Sequence, residues 1–227
     1  MNVAVNMKRS YFAAIFDMDG VVVDNTKYHA LAWQTFFAKY GKTLTLDEVK
    51  KHILGRFNRE IFAEFLQRKL KRPEADRLAE KKEAFYRKIY AKAIRPLPGL
   101  PKFLAMLHKE GIPIALATAA PPSNVRWVLR KTGLKKYFRF IIDDTGVKRG
   151  KPHPDIFLKC VKFLHVAPRD CIVFEDGVLG ILAAKRAGMK VVGVATTDKP
   201  SAMRNIDLVI KDFRTLTLKH LQKLYET

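Results

Sequence analysis

The sequence predicts an α/β fold, a parallel sheet held between helices with an all-helical block inserted after the first strand. Three observations predict it. The run Phe12-Ala-Ala-Ile-Phe16 is short and wholly apolar, as in a strand buried on both faces, and it runs straight into Asp17. Residues 25–92 then read as helix after helix with no strand-like run. After Gly99 the rhythm changes to alternating helix and strand, the pattern of a parallel sheet.

Composition is consistent with this. The chain has 227 residues, which suits one large domain or a core with an insertion, and 48% of them are hydrophobic. Lys plus Arg exceeds Asp plus Glu by 43 to 22, a net charge of +21. Such a surplus attracts anions of every kind, from phosphate esters to nucleic acid, and does not choose among them. Cys160 and Cys171 show no metal-type spacing, so no disulfide framework is expected and a reducing cytoplasm fits. Residues 1–10 are too few and too polar for a signal peptide, and no apolar run approaches the ~20 residues needed to span a membrane.

The elements follow in order. Asp24, Asn25 and Thr26 offer N-cap chemistry for a helix starting near Lys27, which carries Leu31, Trp33, Phe36 and Phe37 and ends at Gly41. Helices are expected over 46–54 and 59–69, and a long one opens at Pro73 and Glu74 and runs through Phe85, Ile89 and Tyr90. Their aromatic stripe reads as core packing. The prolines and glycine of Arg95-Pro-Leu-Pro-Gly99 mark a boundary. The division is placed at 24/25 and 95/96, giving a core of 1–24 and 96–227 and a helical cap of 25–95. Two chain crossings between them are what a hinged lid needs. Beyond Gly99, helices are expected over 100–110, 123–131, 154–164 and 179–187, with a last one through His220. Strands are expected over 113–117, 140–142, 171–174, 190–194 and 207–210.

In parallel sheets ligands sit beyond the carboxyl ends of the strands. Three apolar runs end there in polar residues: Asp17 with Asp19, Thr118, and Glu175-Asp176. Gly150-Lys151-Pro152 comes from a loop. A strand followed by a solvated acidic turn explains any one of these alone, but not their convergence. Carboxylates from two strand ends can hold Mg²⁺, which prefers oxygen ligands, while Lys151 adds a positive charge and Thr118 a hydroxyl. One Asp can act as nucleophile and a second as proton donor, which matches phosphoryl transfer.

Asp17-Met-Asp19-Gly-Val-Val-Val-Asp24, Thr118, Gly150-Lys151-Pro152 and Phe174-Glu175-Asp176-Gly-Val-Leu-Gly180 resemble, in order and interval, the four signature motifs of the haloacid dehalogenase superfamily. Residues 150–158 and 174–189, and Tyr28-His29 with Trp33, resemble its β-phosphoglucomutase-like subfamily. The resemblance implies a Rossmann-like core with a helical cap. It implies Asp17 as the nucleophile forming an aspartyl-phosphate, and Asp19 as general acid and base. Mg²⁺ would be held by Asp17, the Asp19 backbone carbonyl and Asp176, with Glu175 close by, and Thr118 and Lys151 would bind the transferring phosphoryl group. Substrate contacts are expected from Ala119 and from His29, Arg56, Arg59 and Lys82 of the cap. Dehalogenase members lack the second Asp, so Asp19 favours phosphoryl chemistry. Gly177 stands where many relatives have Ser.

The subfamily holds both phosphatases and β-phosphoglucomutases. In the mutase, a Ser-Lys-Asn run just after the motif hydroxyl helps hold a second phosphate. Here that run is Ala120-Pro121-Pro122, without a side-chain donor, and proline lacks a backbone N–H as well. The expectation is therefore a Mg²⁺-dependent, monomeric phosphatase of small phosphorylated metabolites, sugar phosphates above all, with no membrane or specific nucleic-acid partner. β-Phosphoglucomutase is the second reading. A basic nucleic-acid-binding protein with a vestigial site is the third; intact motif residues and the lack of a stacking-aromatic basic motif count against it.

Overall fold

The structure, a computed structural model, describes residues 12–198 and 200–225. The reading of residues 1–10 lies outside them. Six parallel strands form one sheet: β1 (Ala13–Phe16), β2 (Ile114–Ala117), β3 (Phe140–Ile142), β4 (Cys171–Glu175), β5 (Lys190–Val194) and β6 (Leu208–Ile210). Their order is β3-β2-β1-β4-β5-β6, so the chain moves outward from β1 in one direction and then in the other. The crevice at that reversal is where ligands bind in such sheets.

The period of two explains why β1 is apolar throughout. Ala14 and Phe16 face one layer of helices, while Ala13 and Ile15 face the other. On the first side lie α5 (Leu100–Lys109) and α6 (Pro122–Thr132), and on the second α7 (Asp155–Leu164) and α8 (Val178–Arg186). Phe16 pairs in register with Phe174 of β4, and their rings stack 4.3 Å apart at 7°. Such a contact adds about 0.5–1.5 kcal/mol to burial and helps fix the level at which β1 and β4 end.

Of the five helices between β1 and β2 in the chain, the first four precede α5: α1 (Thr26–Ala38), α2 (Leu46–His52), α3 (Asn58–Phe65) and α4 (Arg72–Tyr90). They form the inserted cap and have a core of their own, built on Trp33, Phe36, Phe37, Val49, Ile61 and Phe62. The aromatic stripe is therefore packing, as its spacing indicates. The third helical run stops at Phe65 rather than near Lys69. Gln67 turns back with φ of 53°, and the Arg68 amide donates to the Ala63 carbonyl at 3.2 Å. The chain leaves and re-enters the core side by side: Val23 bridges antiparallel to Pro96, and the Leu97 amide donates to the Val22 carbonyl at 2.9 Å. A last helix, α9 (Leu218–Gln222), closes the chain's path against the first layer. Both cysteines are buried free thiols. Among the described residues no helix is long and apolar enough to cross a membrane.

Candidate active site

β1 lies between β2 and β4, so the residues that end these three strands meet. Asp17 follows β1, and its amide donates to the Phe174 carbonyl at 3.0 Å. Thr118 follows β2, held by its amide to the Ile142 carbonyl at 2.9 Å, while its hydroxyl accepts from the Ala120 amide at 3.1 Å. Glu175 ends β4, and Lys151 comes from the loop before α7. The Lys151 ammonium donates to Asp17 Oδ1 at 2.9 Å and also to Glu175 Oε1. Glu175 Oε2 accepts from the amides of Asp176 and Gly177 at 3.0 and 3.2 Å. Both Glu175 oxygens are thus engaged, and one of them anchors Lys151.

Electrostatics follow from this crowding. Burial pushes the Asp17 carboxyl up to about 7; Lys151 opposes that, and Glu175 and Asp19 add to it. Burial, then Glu175 and Asp17, hold the Asp176 carboxyl well above the usual carboxylate range. Burial works against the Lys151 ammonium, but Asp17 and Glu175 outweigh it and keep it protonated. Oxygens of Asp17, Glu175 and Asp176 lie within 4.8 Å of one another, an all-oxygen donor set for a hard cation. Gly20 makes room for it: φ is +78°, and a Cβ there would stand 1.8 Å from Asp176 Oδ2. Gly180 does the same for Glu175, whose Oε1 would lie 1.8 Å from its Cβ. Gly177 supplies no side-chain cap to α8; instead Asp198 Oδ2 accepts from the Val178 amide at 3.2 Å.

Asp19 stands in a different environment. Burial alone would raise its carboxyl, but His29 opposite it, with hydrogen bonding from His29 and Asn25, holds it below the usual range. Asn25 Nδ2 donates to Asp19 Oδ1 at 2.6 Å and to the Tyr86 hydroxyl at 2.7 Å. Asn25 precedes α1 but makes no side-chain cap bond: its side chain is turned to give its NH₂ to Asp19 and Tyr86, and its Oδ1, the atom a cap would use, has no partner. His29 Nε2 faces Asp19 Oδ2 at 3.6 Å, and its ring stacks on Tyr86 with centroids 3.8 Å apart. Behind it, Lys82 Nζ lies 2.9 Å from His29 Nδ1 and 2.9 Å from Glu83 Oε1.

A cavity of about 540 Å³ opens over this floor, between the cap and the strand ends. Asp17, Asp19, Thr118, Lys151, Glu175 and Asp176 all line it, as do His29, Arg56 and Ala119. Arg56 donates to the His52 carbonyl at 2.7 Å and pairs with Glu64 at 2.8 Å. Lys82 lies behind His29, off the cavity wall and 2% exposed. Arg59 is also off the wall. Its guanidinium donates to the carbonyls of Asp144 and Lys148, at 3.2 and 3.1 Å, in the loop that leads to Lys151. Sequence reasoning missed Asn25 as a partner of Asp19, and it missed Glu83, Asn58 and Asn124. Adjacency of Glu83 to Lys82 was the one available signal, and it reads equally as a solvated helix charge pair.

Residues 12–188 match the family model of the haloacid dehalogenase-like hydrolases. The chain is 34% identical over 221 residues to a β-phosphoglucomutase of Bacillus subtilis, covering 94% of this chain and 95% of that one. It is 31% identical over 178 residues to a phosphorylated carbohydrates phosphatase of Thermotoga maritima, covering 78% and 82%. A crystal structure of a β-phosphoglucomutase from Clostridium difficile superposes with a TM-score of 0.83 at 32% identity, covering 94% and 96%.

Proposed function

The chain belongs to the haloacid dehalogenase-like hydrolase family, an enzyme of phosphohydrolase or phosphotransferase type, and from that premise we propose a Mg²⁺-dependent phosphatase of small sugar phosphates. The observation that carries the reading is the floor of the cavity. A buried Asp17 touches Lys151, a second carboxylate stands at Asp19, and the wall beyond Thr118 is Ala119, Ala120 and Pro121.

Asp17 attacks phosphorus, a bond forms from its carboxylate oxygen, and the phosphorus–oxygen bond to the sugar breaks. Asp19 gives its proton to the departing oxygen. Asp19 rests ionised, held so mainly by His29 and Asn25; the arriving phosphate's negative charge raises its proton affinity, so it takes up a proton from solvent before it donates one. Water then attacks the aspartyl-phosphate, with Asp19 taking the proton, and Asp17 is regenerated. Lys151 and Thr118 hold the equatorial oxygens. The donor set fits Mg²⁺: Asp17 and Asp176 would hold it, with the Asp19 carbonyl that the resemblance adds, beside Glu175, which anchors Lys151. When bound, the cation supplies charge neutralisation that brings phosphate and carboxylate together. His29, Arg56 and Ala119 face the substrate. Lys82 acts through His29, and Arg59 braces α3 against the loop carrying Lys151.

A mutase reading is favoured by the Bacillus relative and opposed by the wall. Residues 120–122 offer no side-chain donor to a second phosphate, and Arg59 is already committed to two carbonyls. The test is free phosphate release with Mg²⁺ across sugar phosphates, nucleotides and pyrophosphate, beside β-glucose 1-phosphate with a bisphosphate primer. Fast phosphate from small esters supports the proposal. Glucose 6-phosphate with little free phosphate overturns it in favour of the mutase. The same assays are expected to run on a monomer.

A further inference from the structure

Glu83 is a carboxylate only 2% exposed, in a cap helix, and all its partners are donors. Its Oε1 accepts from Lys82 at 2.9 Å and from Asn58 Nδ2 of α3 at 2.8 Å. Its Oε2 accepts from Asn124 Nδ2 at 2.7 Å. Asn124 is not in the cap. It lies on α6 of the core, fully buried, and follows the 118–121 stretch of the cavity wall. The orientation of its amide is set from the other side, since Arg87 donates to its Oδ1 at 2.8 Å. Flipping it would turn its NH₂ toward the Arg87 guanidinium. A buried charge held by donors from α3, α4 and α6 is costly wherever one partner is withdrawn.

We propose that Glu83 is a positioning residue that ties closure of the cap to the alignment of His29 beside Asp19, through its hydrogen bond to Asn124. The inference rests on Asp19 being the proton-transfer residue of the proposed reaction. With the cap closed, Asn124 completes the acceptor demand of Glu83. Glu83 then holds the Lys82 ammonium against His29 Nδ1, and His29 Nε2 is aimed at Asp19. When the cap lifts away from α6, Glu83 loses its core partner, and the alignment relaxes with it. The proton-transfer geometry is thus complete only over a closed cavity.

The experiment is an exchange of the two side chains in the full chain. Glu83→Gln sets an amide NH₂ against the Asn124 NH₂, and Asn124→Asp sets two carboxylates together, so each breaks the contact. In the double variant the amide introduced on α4 donates to the carboxylate introduced on α6, which still accepts from Arg87. Each single variant is expected to lower kcat at least tenfold with KM within about threefold, as for loss of a hydrogen bond to a buried charge. The double variant is expected to recover about tenfold over the worse single. Wild-type kcat in either single, or a double variant no better than the product of the singles, overturns the proposal. Where Glu83→Gln does not fold, Asn124→Ala carries the same kinetic test. If wild type hydrolyses no ester, the substrate reading fails by itself. Small-angle scattering then decides the clamp: a larger radius of gyration in Asn124→Asp that returns to the wild-type value in the double variant supports it, and unchanged radii overturn it.

Discussion

Lys82 Nζ lies 2.9 Å from Nδ1 of His29, inside the cap and shielded from solvent. An ammonium has only protons to give, so Nδ1 must accept, and the ring proton sits on Nε2, the nitrogen that faces Asp19. Burial lowers the Lys82 ammonium, while Glu83 and Asp19 work to keep its charge. Replacing Lys82 by Met is expected to lower kcat about tenfold to a hundredfold, because His29 loses the group that sets its tautomer. It should also cost roughly 3–5 kcal/mol, because Glu83 is left a buried charge without its cation. Adding Glu83→Gln should restore most of the melting temperature but not the rate. A double variant restored in both would show that Lys82 serves packing alone.

Asp17→Asn is expected to reduce turnover to background while leaving the fold intact, as phosphate release and a thermal melt will show. The sign of its pH effect is also set. The folded Asp17 carboxyl stands at about 7 against an ordinary 3.8, and Asp176 is raised as well. A raised carboxyl contributes stability that is present below the unfolded value and lost as pH rises through the folded one. The metal-free wild type should therefore lose stability between about pH 4 and 7, at up to about 1.4 kcal/mol per pH unit per proton. The Asn variant should lose less over the same window, and an equal or steeper slope would contradict the raised carboxyl.

Mg²⁺ should reverse that loss, because a cation relieves the repulsion that raises these carboxyls. The stabilisation expected is about 2.7 kcal/mol at a hundredfold excess over Kd. It should grow with pH from 5 to 8 and fall sharply in Asp17→Asn. Thermal melts with and without the ion measure it, and a shift equal in both proteins would remove Asp17 from the ligand set.

Gly20→Ala tests the floor of the site. Its Cβ would enter the space of Asp176 Oδ2, and the backbone there has φ of +78°. A cost of about 1–3 kcal/mol is expected from the backbone alone. The Mg²⁺-dependent shift should vanish as Asp176 is displaced. A variant with a normal shift would show that Asp176 has another place to go.

The core motifs were legible because their chemistry allows few substitutes. An apolar run ending in Asp17 reads equally as a strand followed by a solvated turn; it was the convergence of Asp17, Thr118 and Glu175-Asp176 at strand ends, and their resemblance to family motifs, that located the site. Gly20 and Gly180 were legible as motif letters, but only the structure shows which carboxylate each leaves room for. Asn25 reads in the sequence as a helix cap because Asn before a helix usually is one; in the fold its side chain is turned so that its NH₂ serves Asp19 and Tyr86, and its Oδ1 reaches no helix amide. Arg59 reads toward substrate, whereas its guanidinium lies along the loop before Lys151.

By itself, then, the sequence determined the order of elements, the parallel sheet, the inserted cap and the chemistry of the strand ends. Periodicity and a short list of irreplaceable side chains carry that information locally. The tertiary structure alone decided that Asn58 and Glu83, at the cavity wall, and Asn124 behind it join Lys82 and His29 near Asp19. Each is an ordinary residue on a helix, and only the packing of α3 against α4, and the approach of α6 to α4, buries them together, where a charge must find donors.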